Sequence, residues 1–146
     1  MKYVFSGCEH ADAAALVEAY HYSGRMPGNI QNIFCLREPG GLFGDFGFKV
    51  FAACIFSIPP TRWREPVLEL SRLVRDPEFE GPLSALISQS CRVLRASEYP
   101  LVVSFADWTQ KHHGGIYQAS GWNYAGCRDR QMDGIVIDGE FKPGRS

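Results

Sequence analysis

Apolar residues in this chain occur in short runs, and their spacing differs from one segment to the next. Runs that are rich in β-branched and aromatic residues, and that end at Gly, Pro or Ser, predict β-strands. Such runs cover residues 3–5, 33–37, 46–56, 67–74, 101–105 and 123–128. The Asp-Gly pair at 138 and 139 predicts a hairpin turn between strands at 135–137 and 140–142.

Other segments have the apolar spacing of an amphipathic helix. The first predicts a helix over residues 12–22 with Gly24 as its C-terminal cap. Its apolar face is formed by Ala13, Leu16, Val17 and Tyr20. A further, short helix is predicted through residues 116–119.

The other long helix opens at Gly81-Pro82, with Pro at its first position, where the missing N–H is tolerated. Its buried face is marked by Leu83, Leu86, Ile87, Cys91 and Leu94. Three serines are predicted on or beside its other faces, namely Ser84, Ser88 and Ser90.

The predicted order of elements, with the C-terminal hairpin counted as one β unit, is β-α-β-β-β-α-β-α-β-β, which indicates a single domain over residues 1–146. Its class is α/β (α+β), with a mixed, mostly antiparallel central sheet flanked by helices. This order is similar to that of the GCN5-related N-acetyltransferase (GNAT) fold, in which a helix N-terminus binds the cofactor pyrophosphate. The corresponding segment here, residues 76–82 (DPEFEGP), has no glycine-rich loop and contains three acidic residues. The sequence therefore disfavours ordinary coenzyme A use.

Composition narrows the classes of partner. The net charge is −1, so DNA contact requires a local basic patch rather than overall attraction. No apolar stretch is long enough to span a bilayer, and the N-terminus lacks the features of a signal peptide.

The five cysteines are odd in number, widely spread and without a C-x-x-C pair. This pattern argues against a disulfide framework and against a zinc site of ordinary spacing, and predicts reduced thiols in a cytosolic protein. They are Cys8, Cys35, Cys54, Cys91 and Cys127.

Two charged residues occupy positions that are typical of a site. Asp107 follows the apolar run at 101–105, and so lies at the carboxyl end of a strand, where open sheets bind ligands. The alternative is an N-cap for the following turn. Arg72 lies in a strand predicted to cross the middle of the sheet, where it needs an anionic partner. That partner is a donor, a phosphate, or a carboxylate such as Glu69 or Asp107.

Basic and histidine residues suggest further sites. Arg62, Trp63 and Arg64, with Arg25, could meet DNA phosphates, with Trp63 as a wedge; the alternative is a solvated loop with one anchoring aromatic residue. The His-His pair at 112 and 113 lies near Asp107 and suggests iron. Adjacent histidines on a loop point in different directions, so a solvated pair is favoured and no metal ligands are assigned.

Four segments together resemble the bacteriophage Mom family of DNA-modification proteins. They are residues 21–23 (HYS), 68–73 (LELSRL), 103–107 (VSFAD) and 115–122 (GIYQASGW). The resemblance implies a GNAT-like fold and conversion of adenine in DNA to its N6-carbamoylmethyl derivative, which protects phage DNA from host restriction enzymes. It also implies action in the host cytoplasm on double-stranded DNA with an extruded adenine. The oligomeric state stays open.

The resemblance also implies site residues, carried over by position. They are His21, Tyr22, Arg72, Asp107 and Tyr117. Asp107 would act as a base or hold the amino group, and Tyr117 would protonate a leaving group. His21 and Tyr22 would stack on, or hydrogen-bond, the extruded base. For Tyr117 the alternative is a packed aromatic ring; for His21 and Tyr22 it is helix capping and a partly buried ring.

The donor of the transferred group is not identified by the sequence. The family has been linked with acetyl-CoA and with iron, an aminoacyl donor is conceivable, and Ser88 or Ser90 is a candidate for cofactor binding. A second hypothesis is a GNAT-type N-acetyltransferase that acts on a small amine or protein. A third is a binding module that kept the fold and lost its donor site.

Overall fold

The computed structural model describes residues 2–40, 48–60, 66–97, 99, 101–107, 123–128 and 132–136, and only the backbone path after residue 104. Its elements follow the predicted order of strands and helices. They are β1 (Val4–Gly7), α1 (His10–Tyr20), β2 (Ile30–Arg37), β3 (Val50–Ser57), β4 (Val67–Arg75), α2 (Leu83–Ala96), β5 (Leu101–Asp107), β6 (Asn123–Arg128) and β7 (Met132–Val136). The short helix predicted at 116–119 lies outside the described residues.

The strands form one sheet in the order β1-β2-β3-β4-β5-β7-β6. Strand β4 pairs in parallel with β5, and the other neighbours pair antiparallel. The parallel pair arises because α2 carries the chain back to the starting edge, as parallel strands require. The prediction of a mixed, mostly antiparallel sheet with helices is confirmed.

Strand β3 lies at the centre of two apolar clusters, one on each face of the sheet. All of its residues are buried, as expected of a strand covered on both faces. Ala52, Cys54 and Phe56 join the cluster under α2. Ala53 and Ile55 join the cluster under α1. No helix in the described part of the chain is long and apolar enough to cross a membrane.

Helix α1 ends at Tyr20, two residues before its predicted end. His21 has an extended backbone (ψ 140°), and its Nδ1 accepts the Ser23 N–H at 3.1 Å, which forms a side-chain-closed turn. Gly24 then has a φ of +65°, a conformation that favours glycine. Tyr20 is 49% exposed, so its prediction on the buried face was wrong.

The predicted C-terminal hairpin is wrong in the pairing of its first strand, residues 135–137. Ile135 and Val136 end strand β7, which lies between β5 and β6. Both backbone edges of these residues are therefore occupied, and a partner strand at 140–142 could not pair with them. Residues 137–146 lie outside the described residues.

Candidate functional site

Strands β4 and β5 form a fork in the sheet. They pair where Val67 meets Leu101, Leu68 meets Val102 and Glu69 meets Val103. In the described residues beyond this point, β4 continues against β3 and β5 against β7. The Ser104 hydroxyl bridges the start of the fork by donating to the Leu70 carbonyl at 3.3 Å. The sheet therefore opens between two parallel strands at their carboxyl ends.

A β-bulge in β4 determines which side chains share a face of the fork. Glu69 is opposite Ser57 and Leu70 opposite Phe56, but Ile55 is opposite Arg72, which leaves Ser71 as the extra residue. Since one extra residue inverts the alternation of side chains, Arg72 comes to the same face as Glu69. Leu70 points to the other face, in the cluster under α2.

A cavity of about 260 Å³ opens at this face. Its walls come from the segment after α1, from the end of β3 and from β4. They are Pro27, Gly28 and Asn29; Ser57, Ile58 and Pro60; and Glu69, Ser71 and Arg72. Asn29 holds the first wall in place, because its carbonyl accepts the Ile58 N–H at 3.0 Å.

Among the described residues, Arg72 is anchored by backbone carbonyls and forms no ion pair with a carboxylate. Its Nε donates to the Arg25 carbonyl at 3.0 Å, and Nη1 donates to the Ser71 carbonyl at 2.8 Å. Burial lowers the pKa of the guanidinium, with Tyr22 and Glu69 opposing this effect. Arg72 stays charged and, among the described residues, keeps N–H groups without a hydrogen-bond partner, which can bind an anionic or carbonyl group.

Glu69 has no hydrogen bond to its carboxylate and no ion pair among the described residues. Burial raises the pKa of this carboxyl, and Arg72 counteracts the rise only in part. From the sequence alone, Glu69 is a candidate only for an ion pair with Arg72, because the bulge and the cavity leave no local signal in the sequence.

His21 and Tyr22 form a stacked pair beside the fork. Their ring centroids are 4.4 Å apart at an interplanar angle of 27°. Because Nδ1 of His21 accepts the Ser23 N–H, the proton of the neutral ring lies on Nε2. Tyr22 is 56% exposed and acts electrostatically on Arg72. His21, Tyr22, Arg25 and Arg72 are thus brought to one region.

The other predicted site residues are only partly described. The backbone of Asp107 ends β5 on the second arm of the fork, where it pairs with Met132. The side chain of Asp107, all of Tyr117, Arg62, Trp63 and Arg64, and the histidines at 112 and 113 lie outside the described residues. Their predicted roles stay predictions.

Ser88 and Ser90 lie on α2, and neither lines the cavity. Ser90 is fully buried, so its predicted place on another face of the helix was wrong. Its hydroxyl donates to the Leu86 carbonyl at 2.7 Å and lies 3.0 Å from the Cys54 thiol. These contacts are those of a core residue; Ser88 is half-buried.

Ser90→Ala is expected to lower the free energy of unfolding by about 1 kcal/mol, because the Cys54 thiol loses its hydroxyl partner in the core. Ser88→Ala, the same change two residues earlier on the helix, should stay within about 0.5 kcal/mol. Urea denaturation measures both. A loss of activity in Ser90→Ala at unchanged stability would favour the cofactor role instead.

The loop before α2 does not fit a pyrophosphate group. Three of its N–H groups already have partners: Asp76 N–H bonds the Phe51 carbonyl at 2.7 Å, Glu78 N–H the Asp76 carboxylate at 2.8 Å, and Glu80 N–H the Tyr3 hydroxyl at 3.0 Å. Two carboxylates of this loop, Asp76 and Glu78, also face Lys49 Nζ, at 3.6 and 2.6 Å. An incoming phosphate would meet like charge and engaged donors.

Gly81 closes the same loop. A Cβ atom there would lie 3.0 Å from both the Phe79 and the Tyr3 rings, so glycine serves close aromatic packing. No group of three or more His, Cys, Asp or Glu residues in the described part of the chain could hold a metal ion. The described residues therefore provide no site for iron.

Comparison with solved structures shows the GNAT fold. The chain is similar to the GNAT family N-acetyltransferase YhbS from Escherichia coli in complex with CoA (16% identity, 93% of this chain and 81% of that chain, TM-score 0.65). It is similar to the ribosomal-protein-S18-alanine N-acetyltransferase from Escherichia coli (16% identity, 95% and 97%, TM-score 0.61). A third similar structure is the KacTA–DNA complex (13% identity, 93% and 92%, TM-score 0.57).

Sequence comparisons identify the family. A search among curated proteins gives no match. The model of the Mom protein family matches residues 2–145, almost the whole length of the chain. The resemblance carried by the four short segments is confirmed, and the chain belongs to the Mom protein family.

Proposed function

We propose that this protein is a transferase that converts adenine in DNA to N6-carbamoylmethyladenine and so protects phage DNA from host restriction enzymes in the host cytoplasm. One observation supports this above the others. Three of the four segments shared with the family, at 21–23, 68–73 and 103–107, are far apart in sequence and converge at the fork. The end of β5 and the His21–Tyr22 stack thereby lie near β4, whose Glu69, Ser71 and Arg72 line an open cavity.

An enzyme that acts on the adenine amine must take the base out of the duplex and hold it. The His21 and Tyr22 rings offer an aromatic surface beside the cavity, and Tyr22 is exposed enough to receive a base. Arg72 would hold the donor or a phosphate through its remaining N–H groups. Arg25, Arg62, Trp63 and Arg64 would contact the DNA backbone around the extruded base.

The proposal leaves the donor open between an acyl-CoA and an aminoacyl compound. Asp107 would act as a base or hold the amino group, and Tyr117 would protonate the leaving group. The loop before α2 argues against a bound pyrophosphate. The proposed reaction therefore requires of the donor only that the transferred carbon be bonded to a leaving group.

Expression of the protein in a bacterial host is expected to produce modified deoxyadenosine in the host DNA. Nucleoside digestion followed by mass spectrometry measures it. Asp107→Ala and Tyr117→Phe should reduce the product strongly while the circular dichroism spectrum stays that of the wild type. If soluble wild-type protein leaves all deoxyadenosine unmodified, the proposal is wrong.

A second candidate is an N-acetyltransferase that acts on a small amine or protein. It is supported by the likeness to an N-acetyltransferase solved with CoA. It predicts tight binding of acetyl-CoA by calorimetry and activity without DNA. The acidic loop with engaged N–H groups opposes it. A binding module without activity would instead bind DNA or a partner and leave every donor unchanged.

A further inference from the structure

Glu69 lines the cavity, and no described residue forms a hydrogen bond or an ion pair with its half-buried carboxylate. Lysines, arginines and acids at such depth are normally paired. The neighbours of Glu69 are instead occupied elsewhere. The Ser57 and Ser71 hydroxyls hydrogen-bond each other, and Ser71 also donates to the Glu69 main-chain carbonyl at 3.3 Å.

Arg72 does not neutralise this carboxylate by a direct ion pair, although it shares the same face. Its Nε and Nη1 are directed to the carbonyls of Arg25 and Ser71. Since no described residue satisfies the Glu69 oxygens, their lone pairs are available to a molecule in the cavity. An unsatisfied acceptor in a solvent-connected cavity fits a ligand that brings an N–H donor.

We propose that Glu69 is the catalytic base of this protein: its carboxylate accepts the proton that the exocyclic N6 amine of adenine releases during transfer. This inference rests on the proposed function and deepens it. It assigns to Asp107 the other of its two candidate roles, that of holding the amino group. Glu69 lies at the last paired position of β4 and β5, at the entrance of the fork.

The step balances with a donor that carries the transferred carbon on a leaving group. The N6 lone pair forms a bond to that carbon, and the bond from carbon to leaving group breaks with both electrons going to the leaving group. As this bond forms, N6 passes one of its two protons to a Glu69 oxygen, so the product amine is neutral. The adenine amine is a weak nucleophile, so removal of this proton as the bond forms lowers the barrier.

The surroundings of Glu69 make its carboxylate a stronger base than that of an exposed glutamate. Burial raises the pKa of the carboxyl, and Arg72 is the described charged group that opposes the rise. Tyr22 and Arg25 act on Arg72 in turn. The residues opposite Glu69 on β3 and β5 are Ser57 and Val103, which do not titrate in this range. A base is active when deprotonated, so the rate should rise with pH through the raised pKa.

Glu69→Gln is expected to lower the rate of modified deoxyadenosine formation about a hundredfold and to remove its rise with pH. Clarified host lysate supplies the donor and plasmid DNA the substrate, and mass spectrometry measures the product across a pH series. Glu69→Asp should keep part of the rate together with its pH dependence. Glu18→Gln, the same change on the exposed face of α1, should behave as the wild type.

The thermal stability of Glu69→Gln distinguishes a catalytic base from a residue that stabilises the fold. The pKa of the Glu69 carboxyl is raised in the folded state, so the folded protein binds this proton more tightly than the unfolded chain does. The carboxyl therefore stabilises the fold at pH values below its unfolded-state pKa. This stabilisation is lost as the pH rises through the folded-state pKa. Glu69→Gln should therefore melt at the same temperature as the wild type or higher at neutral pH. The difference should shrink in acid.

Each outcome decides the inference. If Glu69→Gln forms modified deoxyadenosine at the wild-type rate, the role of Glu69 as the base is wrong and the proposed function stays intact. If the wild-type protein itself forms no modified deoxyadenosine, both the role of Glu69 and the proposed function are wrong. A lower rate with a lower melting temperature would make Glu69 a structural residue and also overturn its role as the base. Carbon NMR of protein with labelled glutamate tests Glu69 without any group donor. The carboxyl signal of Glu69 should titrate with a pKa above that of an exposed glutamate. Its chemical shift should change when an adenine oligonucleotide is added.

Discussion

Arg72→Ala is expected to reduce formation of modified deoxyadenosine about a thousandfold, the upper range for loss of one positioned charge-stabilising donor. The guanidinium is held by the carbonyls of Arg25 and Ser71, and Arg72 lines the cavity with N–H groups that have no hydrogen-bond partner among the described residues. Arg72→Lys keeps the charge, but its N–H groups all lie on one nitrogen instead of a planar fork, so it cannot reproduce the bonds of Nε and Nη1 and also present a donor to a ligand. It should recover at most a small part of the rate.

Arg75→Ala is the matched control for Arg72→Ala, because Arg75 is an exposed arginine of the same strand that lines no part of the cavity. It also bonds a backbone carbonyl, that of Phe79. Its rate should stay near that of the wild type. Equal losses in both variants, or a normal rate in Arg72→Ala, would contradict the assignment of Arg72 to the site. Nucleoside mass spectrometry measures both.

Phe56→Ala is expected to lower the free energy of unfolding by about 3–5 kcal/mol. Phe56 is fully buried and is among the largest fully buried side chains of the described core. Its ring meets Phe34 edge to face at a centroid distance of 6.0 Å, and its backbone pairs with Leu70 beside the bulge. Removing the ring leaves a cavity directly behind the site, so activity should fall together with stability.

Val93→Ala provides the comparison for Phe56→Ala, because Val93 is 42% exposed on α2 and loses little burial when shortened. Its free energy of unfolding should change by no more than about 0.5 kcal/mol. Urea denaturation at fixed pH measures both variants. A loss below about 1 kcal/mol for Phe56→Ala would mean that the interior collapses around the vacated ring or that the ring is less central than its burial indicates.

The C-terminal part of the sheet shows where pattern reading from sequence is weakest. Strand β7 contains Asp133 and Gly134, residues that are typical of turns, so its apolar alternation is short. What makes it a strand is pairing on both edges with β5 and β6, which are distant in sequence. Ser90 was misassigned for a related reason: a hydroxyl that bonds its own helix can be buried, and polarity alone does not reveal this.

The amino-acid sequence by itself determined the type and order of the described elements up to β6, most of the apolar faces of the two helices and the family of the chain. These features depend on local periodicity and on short motifs, which are present in the linear sequence. Arg72 and the segment around His21 and Tyr22 were also found in this way.

Only the tertiary structure decided how these residues form a site. One extra residue, Ser71, turns Arg72 to the face of Glu69, and both residues then line a cavity whose other walls are the segment after α1 and the end of β3. Register and strand divergence result from pairing between segments that are far apart in sequence. A register shift of one residue moves a side chain to the other face of the sheet. The local pattern of apolar and polar residues therefore does not predict which face the side chain occupies.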